Sequence, residues 1–209
     1  ALQGDAVSEV LSVNQLEDYS QFRLQLEGRK RVAILGAGLV ACEFANDMAK
    51  SGFDVAVAAP SEWPLDRLVP QEVGDSLVSA LTDQGVAWHL GRWPKGVMRD
   101  GEGYRVQLDD GVSIQADIVL SAIGITPRLR LAKQAQLDVG RGVVVDDYLQ
   151  TSDPHVFALG DCAEIMGHVH PYVAPILHSA KALARTLSGE KTKVSFPMMP
   201  IVVKTSVLP

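Results

Sequence analysis

Cysteines, clustered histidines and long apolar runs are all scarce in this chain. The two cysteines, Cys42 and Cys162, are far apart and form no CxxC or CxxxxC pair, which excludes a disulfide-stapled scaffold. The five histidines are scattered, and only His168 and His170 lie close together, in the segment GHVHP. Because no other ligand cluster accompanies them, we interpret GHVHP as a loop and predict no metal site.

Charge is also unremarkable, and neither sign is concentrated in a run. The net charge is −6, which together with the lack of a basic cluster argues against a nucleic-acid surface. No apolar stretch approaches the roughly 20 residues that span a bilayer, and no basic-then-apolar signal segment begins the chain. The composition, 47% apolar and 21% charged, is that of a globular protein, which we expect to be cytoplasmic and not membrane-bound.

Residues 29–124 alternate between apolar runs and helical patterns in a regular order. Between 94 and 116, the turn signals RDGEG and DDG separate short alternating runs, which predicts an antiparallel meander. The other segments predict four strands and two helices, in the order strand 31–35, helix 39–51, strand 54–60, helix 70–85, strand 86–90 and strand 116–124. This order indicates an α/β Rossmann-like fold, a doubly wound parallel sheet with its ligand at the carboxyl ends of the strands.

Further elements are predicted on either side of this core. A helix at 14–28 would be capped by Asn14, with Glu17 three residues later, and would end at Gly28. The second half predicts a strand HVFAL at 155–159, a helix at 172–189 and a strand-like segment from 194 to the end.

A GxGxxA fingerprint, Gly36-Ala37-Gly38-Leu39-Val40-Ala41, joins the first long strand to its helix. Gly36 would permit a tight turn, Gly38 would let the backbone approach a pyrophosphate, and Ala41 would keep helix and strand close. The phosphates would bind free N–H groups at the start of the helix. The fingerprint alone is weak, but the strand before it and the helix and strand after it favour a dinucleotide over a packing turn without ligand.

The acid that usually binds the adenine ribose is missing from the end of the second long strand. Ala59 occupies that position, Pro60 follows it, and the nearest charged groups are Glu62 and Arg67. No cation is placed to bind a 2′-phosphate, and Glu62 would repel one. We therefore predict NADH rather than NADPH as the coenzyme, with binding weakened by the missing acid.

Two carboxylates are candidates for function. Glu43 interrupts the apolar helix stripe ACEFA, either as a residue at a surface edge or as the partner of a cation near the reaction centre. Asp161 follows Gly160 at the end of HVFAL, either as a simple turn residue or as an acceptor for hydroxyls such as those of a ribityl chain.

Three segments, in this order and spacing, resemble the pyridine nucleotide–disulfide oxidoreductase superfamily, flavoproteins with two dinucleotide-binding domains: GAGLVACEFA, IVLSAIGITPR and TSDPHVFALGDCAE. Within that superfamily, GLVACEFAND, VAAP and PMMPIVVKT are similar to the rubredoxin reductases. The resemblance covers nearly the whole chain and implies an NAD(P)H site at residues 36–41.

The resemblance also implies roles for residues in the second half. Ile123 and Gly124 fall on the strand end that covers the nicotinamide, and Asp161 falls on the acid that holds the FAD ribityl chain. Tyr172 and Val173 fall at the helix start that faces the flavin pyrimidine, where the helix dipole favours negative charge.

Glu43 and Lys204 fall on the carboxylate and lysine that lie near the flavin in this superfamily. That resemblance favours a functional Glu43. We expect the two side chains to form a partly buried ion pair.

Domain boundaries follow from the same resemblance. Residues 1–124 would be the NAD(P)H-binding domain with a leading connector, 125–196 the C-terminal part of the FAD-binding domain, and 197–209 the start of a C-terminal domain. The family's first glycine fingerprint, which binds the ADP of FAD, has no counterpart here. We therefore expect a fragment that lacks the N-terminal FAD half and the C-terminal domain, that does not hold FAD by itself, and that can self-associate through the edge strand at 156–159.

The implied function is electron transport by an FAD-dependent NAD(P)H oxidoreductase, from NADH through FAD to a small iron protein, by resemblance a rubredoxin. Alternatives in the same superfamily are a disulfide or coenzyme A-disulfide reductase and a nitrite reductase subunit. An alternative of another class is a nucleotide-binding sensor or interaction module without turnover.

Overall fold

The computed structural model describes residues 2–200 and 202–208, which divide into two compact units. The first unit consists of residues 1–124 together with 202–209, and the second consists of residues 125–201. Within the described residues, no helix has the length and apolar character that crossing a membrane requires.

The first unit is built on a five-stranded sheet with the α/β order that the sequence predicts. Its elements are a 3₁₀ turn Val7–Glu9, β1 Leu11–Ser12, α1 Leu16–Gln25, β2 Arg31–Leu35, α2 Leu39–Lys50, β3 Asp54–Ala59, α3 Gln71–Thr82, β4 Ala87–Leu90, β5 Pro94–Asp100, β6 Gly103–Leu108, β7 Ser113–Ala116 and β8 Ile118–Ser121. The strand order in the sheet is β1-β8-β2-β3-β4, and all four pairings are parallel. The prediction of a Rossmann-like parallel sheet is therefore confirmed.

The two faces of this sheet are covered by different structures. Successive side chains of a strand point to opposite faces, so Val32 and Ile34 of β2 pack on one side with helices α1, α2 and α3. Ala33 and Leu35 pack on the other side with the antiparallel meander β5-β6-β7. The predicted meander thus covers the face that a second layer of helices covers in a regular doubly wound fold.

The residue that caps the start of α1 is not the predicted one. The helix begins at Leu16, with Gln15 rather than Asn14 in the cap position. The carboxylate of Asp18, not that of Glu17, accepts a hydrogen bond from the backbone N–H of Asn14 at 3.0 Å. The reason is geometric, because the third helical residue is the one that reaches back over the first turn.

The second unit has a smaller core around a three-stranded sheet. Its elements are α4 Arg130–Gln134, β9 Val143–Val145, β10 Ala163–Ile165, β11 His168–Val169 and α5 Val173–Leu187. Strand β10 lies in the middle, parallel to β9 and antiparallel to β11. Ala182 and Leu183 of α5 pack on Val145 and Ile165 of this sheet, so the predicted helix at 172–189 is confirmed with slightly shorter bounds.

Three predictions in this half are wrong. HVFAL is not a strand, because Thr151 and Leu149 bond it into a short turn with only one ladder pair, Gln150 with Phe157. The edge strand on which self-association was predicted is therefore not formed. GHVHP is not only a loop, since His168 pairs with Ile165 in a hairpin. The described part of the segment after 194 contains no strand.

Candidate functional site

The glycine turn between β2 and α2 has the geometry of an anion site. Gly36 has φ +110°, and a Cβ at this position would lie 2.6 Å from the carbonyl oxygen of Ala122, so only glycine fits. Gly38 precedes the first residue of α2, and no side chain caps the N–H groups of that helix. A Cβ at Gly38 would meet nothing within 4 Å. Open space in front of free N–H groups at a helix start is what a pyrophosphate requires.

Neighbouring backbone segments hold this turn in place. The carbonyl oxygen of Ala37 accepts the N–H of Leu65 at 2.9 Å and the thiol of Cys42 at 3.7 Å. The N–H of Gly36 donates to Ala58 at 2.8 Å. These contacts tie the turn to β3 and to the loop that follows β3, so the N–H groups are oriented before any ligand binds.

The other residues predicted for the nucleotide site surround this turn. Ala41 is fully buried against the sheet, as its role in close helix–strand packing requires, whereas the side chain of Val40 is half exposed. Ile123 is 80% exposed just after β8, and its backbone nitrogen lies 3.3 Å from where a Gly36 Cβ would be. Gly124 follows with φ +105°. The structure thus brings the predicted nicotinamide-side residues next to the glycine turn.

Glu62 lies at the same edge of the sheet, in the loop after β3, and its side chain is exposed. Leu39 begins α2 beside the turn.

Glu43 and Lys204 are in contact, but not as the ion pair that we expected. The half-buried carboxylate of Glu43 accepts a hydrogen bond from the backbone N–H of Lys204 at 3.1 Å. The lysine side chain is exposed, and the ion pairs found among residues 2–200 and 202–208 do not join these two groups. The expected ion pair is wrong because the carboxylate is occupied by the main chain of residue 204.

Glu43 belongs to a polar stripe on α2 that holds the segment 203–207, which we call the tail. One face of the helix presents Glu43, Asn46 and Lys50, spaced three and four residues apart. The hydroxyl of Ser206 donates to Asn46 at 3.3 Å and accepts from the ammonium of Lys50 at 3.0 Å. Val203 and Val207 pack on the helix-side core of the unit. The stripe therefore fixes the tail from three side chains.

The thiol of Cys42 lies in an environment that keeps it protonated. It is fully buried. Burial and, to a smaller extent, the neighbouring Glu43 charge together raise the pKa of Cys42 to about 12. A thiol that stays protonated is a poor nucleophile.

A separate cleft lies in the second unit, around Asp161. The cleft has a volume of about 300 Å³, and its wall is formed by residues 125–127, Arg141, Asp161, Val169 and Pro171. Gly160, just before the aspartate, has φ +84° and lets the chain turn sharply there. Sequence reasoning identified Asp161 but missed Arg141, which precedes β9 and gives no local motif.

Helix α5 begins at Val173, two residues after Pro171 in the wall of this cleft. Tyr172 is its cap residue, and no side chain bonds to the free N–H groups of the first turn. The side chain of Val173 is 73% exposed. The helix start therefore lies where it was predicted, and the N–H group of Val173 is open, whereas that of Tyr172 donates to the carbonyl of His170 at 2.8 Å.

The two histidines of GHVHP form no metal site. Their rings are 6.1 Å apart, and among the described residues no group of three or more candidate ligands is present. Burial lowers the pKa of His170, and the neighbouring His168 lowers it further.

Comparison with known protein families gives a match over most of the chain. Residues 1–175 match the family described as pyridine nucleotide-disulphide oxidoreductase. The chain belongs to that family. The glycine turn and the Asp161 cleft both lie within the matched residues.

The similar curated proteins are named as NAD(+) reductases. The rubredoxin-NAD(+) reductases of Alcanivorax borkumensis and Acinetobacter baylyi are 49% and 45% identical, each over 100% of this chain and over 55% and 54% of their own length. The nitric oxide reductase FlRd-NAD(+) reductase of Aeromonas salmonicida is 42% identical over 94% of this chain and 51% of its own length. The chain thus spans about half the length of the curated relatives it matches.

Solved structures of two reductases share the fold of this chain. A ferredoxin reductase for the CYP199A2 system from Rhodopseudomonas palustris matches 91% of this chain and 49% of its own, with TM-score 0.85 and 27% identity. The putidaredoxin reductase of a covalent complex with putidaredoxin matches 92% of this chain and 48% of its own, with TM-score 0.82 and 26% identity.

Proposed function

We propose that this chain forms the NADH-binding part, and a portion of the FAD-binding part, of a reductase that passes electrons from NADH to a small iron protein. The observation that carries the proposal is the uncapped start of α2 behind a turn where only glycine fits at position 36. The family match and the names of the relatives support it.

The first unit would bind the reduced nucleotide. The N–H groups at Gly38, Leu39 and Val40 would hold the pyrophosphate, helped by the dipole of α2. Ile123 and Gly124, at the end of β8, would shield the nicotinamide from water. On this assignment residues 1–124 are the nucleotide-binding domain.

The second unit would contact FAD. Asp161 would accept hydrogen bonds from the ribityl hydroxyls, and the free N–H group of Val173, next to the cap residue Tyr172, would face the flavin pyrimidine. Bound FAD would supply the chemistry, accepting a hydride from the nicotinamide and releasing electrons one at a time. Residues 125–196 would then be part of the FAD-binding domain and 197–209 the start of a further one.

Glu43 and Lys204 remain candidates for the reaction centre in this proposal. The tail contact described above would let Glu43 fix the backbone from which the Lys204 ammonium extends. Their common role would be to place one positive charge.

The electron acceptor is proposed from the relatives. Two are named for rubredoxin and one for FlRd, and a solved relative is linked to putidaredoxin. We propose rubredoxin as the partner and the cytoplasm as the location, where NADH would be available.

Stopped-flow spectroscopy of the intact protein, with whatever segments flank these residues, tests the proposal. NADH should bleach the flavin band under anaerobic conditions, and oxidised rubredoxin should restore it within the same turnover. A panel of acceptors that includes a disulfide, coenzyme A disulfide and nitrite provides the comparison. Faster reoxidation by any of these three, or no bleaching by NADH, would contradict the proposed function.

A further inference from the structure

The ribose-binding acid is absent from the end of β3, yet a carboxylate lies in the loop that follows. Ala59 ends the strand and is only 1% exposed, so that position neither carries an acid nor faces solvent. Glu62 stands three residues later and is exposed. The rigidity of this loop matters, because a mobile glutamate would not select a ligand.

Backbone hydrogen bonds fix the loop at both ends. The N–H of Gly91, just after β4, donates to Ser61 at 2.9 Å, and the N–H of Arg92 donates to Ala59 at 3.0 Å. At the other end, Leu65 donates to Ala37 in the glycine turn at 2.9 Å. The loop is therefore attached directly to the turn proposed to bind the pyrophosphate.

Side chains next to Glu62 hold the loop as well. The indole N–H of Trp63 donates to the carbonyl of Val69 at 3.2 Å, and its ring packs so closely on Gly74 that a Cβ there would lie 2.5 Å from a ring carbon. Leu65 is 4% exposed with φ +61°, a left-handed conformation that a leucine adopts only where its surroundings impose it.

The carboxylate of Glu62 extends over the end of the neighbouring strand. Its two oxygens lie 3.0 and 3.1 Å from where a Cβ of Gly91 would be, so a side chain at position 91 would displace it. Gly91 itself has φ +66°. The nearby Arg92 is already paired with Asp110 at 2.7 Å.

The carboxylate of Glu62 is exposed and therefore accessible to a ligand. Within residues 2–200 and 202–208, its side chain makes no hydrogen bond and no ion pair. It lies at the carboxyl edge of the parallel sheet, the edge at which this fold class binds dinucleotides.

We propose that Glu62 replaces the missing strand-end acid and selects an adenosine ribose with a free 2′,3′-diol over one with a 2′-phosphate. A carboxylate accepts hydrogen bonds from both hydroxyls of a diol, and it repels a phosphate at the same place. This inference rests on the proposed nucleotide site and deepens it, and it reverses the expectation that the missing acid weakens NADH binding.

Calorimetric titration of the intact protein with ADP-ribose and with 2′-phospho-ADP-ribose tests this role. The two probes differ only in the 2′-phosphate and contain no nicotinamide, so the result does not depend on electron transfer. The wild type should bind ADP-ribose at least about tenfold more tightly, as expected for charge-assisted hydrogen bonds. Glu62→Gln should reduce that preference by about tenfold, and Glu62→Arg should reverse it.

The matched control is Glu102→Gln, which removes one exposed carboxylate from the β5–β6 turn and should leave the preference at the wild-type value. Unchanged melting temperatures would show that the variants fold. An unaltered preference in Glu62→Gln would overturn the role of Glu62 while leaving the nucleotide site in place. Failure of the wild type to bind either probe would overturn the site and the proposed function together.

Discussion

At the scale of single residues, Asp117 joins the beginnings of two central strands. Its carboxylate accepts the backbone N–H groups of Lys30 and Arg31, each at 2.9 Å, and the Arg31 guanidinium at 2.6 Å. Hydrogen bonding from Arg31 and from the backbone lowers the pKa of Asp117 to about 2, against the opposing effect of burial. The fold therefore favours the charged form of this carboxyl group.

We predict that Asp117→Asn lowers the free energy of unfolding by about 1–2 kcal/mol at pH 7, because the charged acceptor is lost. Since the folded pKa is depressed, this stabilisation is present above about pH 4 and is lost as the pH falls toward 2. Urea unfolding at pH 7 and pH 3 measures both effects, and the difference between wild type and variant should shrink at pH 3.

The matched control for Asp117 is Asp54→Asn on the same edge of the sheet. Asp54 pairs with Lys30 at 3.5 Å, and both side chains are more than half exposed, so its loss should cost less than about 0.5 kcal/mol. Equal costs for the two variants would refute the special role of Asp117.

Cys42 gives a second prediction at this scale. With a pKa of about 12, only about one thiol in ten thousand is ionised at pH 8. Iodoacetamide should therefore label the half-buried Cys162 in the native protein and leave Cys42 unlabelled until denaturant is added. Peptide mass mapping distinguishes the two sites, and native labelling of Cys42 at the rate of Cys162 would contradict its assignment as an inert core residue.

At the scale of elements, the polar stripe of α2 predicts how the tail is held. Glu43→Ala should speed hydrogen exchange at the amide of Lys204 by about tenfold, because a hydrogen bond to a charged acceptor is removed. Glu43→Gln keeps an oxygen acceptor at the same distance along the side chain and should retain most of the protection.

Lys204→Ala separates the backbone contact from the side chain. The ammonium is exposed and the carboxylate holds only the main chain, so this variant should leave both the exchange rate and the unfolding free energy nearly unchanged. If Lys204→Ala lowered the unfolding free energy by more than about 1 kcal/mol, the ammonium of Lys204 would have to pair with Glu43 as first expected.

The long, well-bounded elements could be predicted from the sequence almost to the residue. β2, α2 and β3 follow the apolar runs closely because Gly36, Gly52 and Pro60 mark their ends. The β10–β11 hairpin was missed because its turn is Met166-Gly167, with φ +50° and +77°, rather than the Asn-Gly that usually announces such a turn.

One part of the candidate site could likewise be predicted from the sequence, and another part could not. The glycine turn could be predicted because all of its residues are adjacent in sequence. The contact of Glu43 with the backbone of Lys204 spans 161 positions, and only packing decides whether a main-chain or a side-chain group meets the carboxylate. The presence of Arg141 in the Asp161 cleft could not be predicted either, because no local sequence pattern relates the two residues.

At the scale of the whole molecule, the single glycine turn limits what the chain can bind. In the proposed function, the second unit would offer Asp161 and the start of α5 to a flavin, but the proposed pyrophosphate site lies in the first unit and would serve NADH. We therefore predict that the 209-residue chain purified alone is colourless. Absorbance spectroscopy measures this, and ADP-ribose binding by the same sample is the control for folding. A flavin band at near-stoichiometric occupancy would show that these residues suffice to hold FAD.

The strand order of the large sheet also has a consequence for biosynthesis. β8 lies between β1 and β2 in the sheet, yet it is the last of the five strands to leave the ribosome. At typical translation rates, on the order of ten seconds pass between the emergence of β2 and that of β8. Throughout that time the edge of β2 that pairs with β8 has unpaired backbone N–H and C=O groups. The pairing between β2 and β8 can therefore form only after Ser121 has been translated.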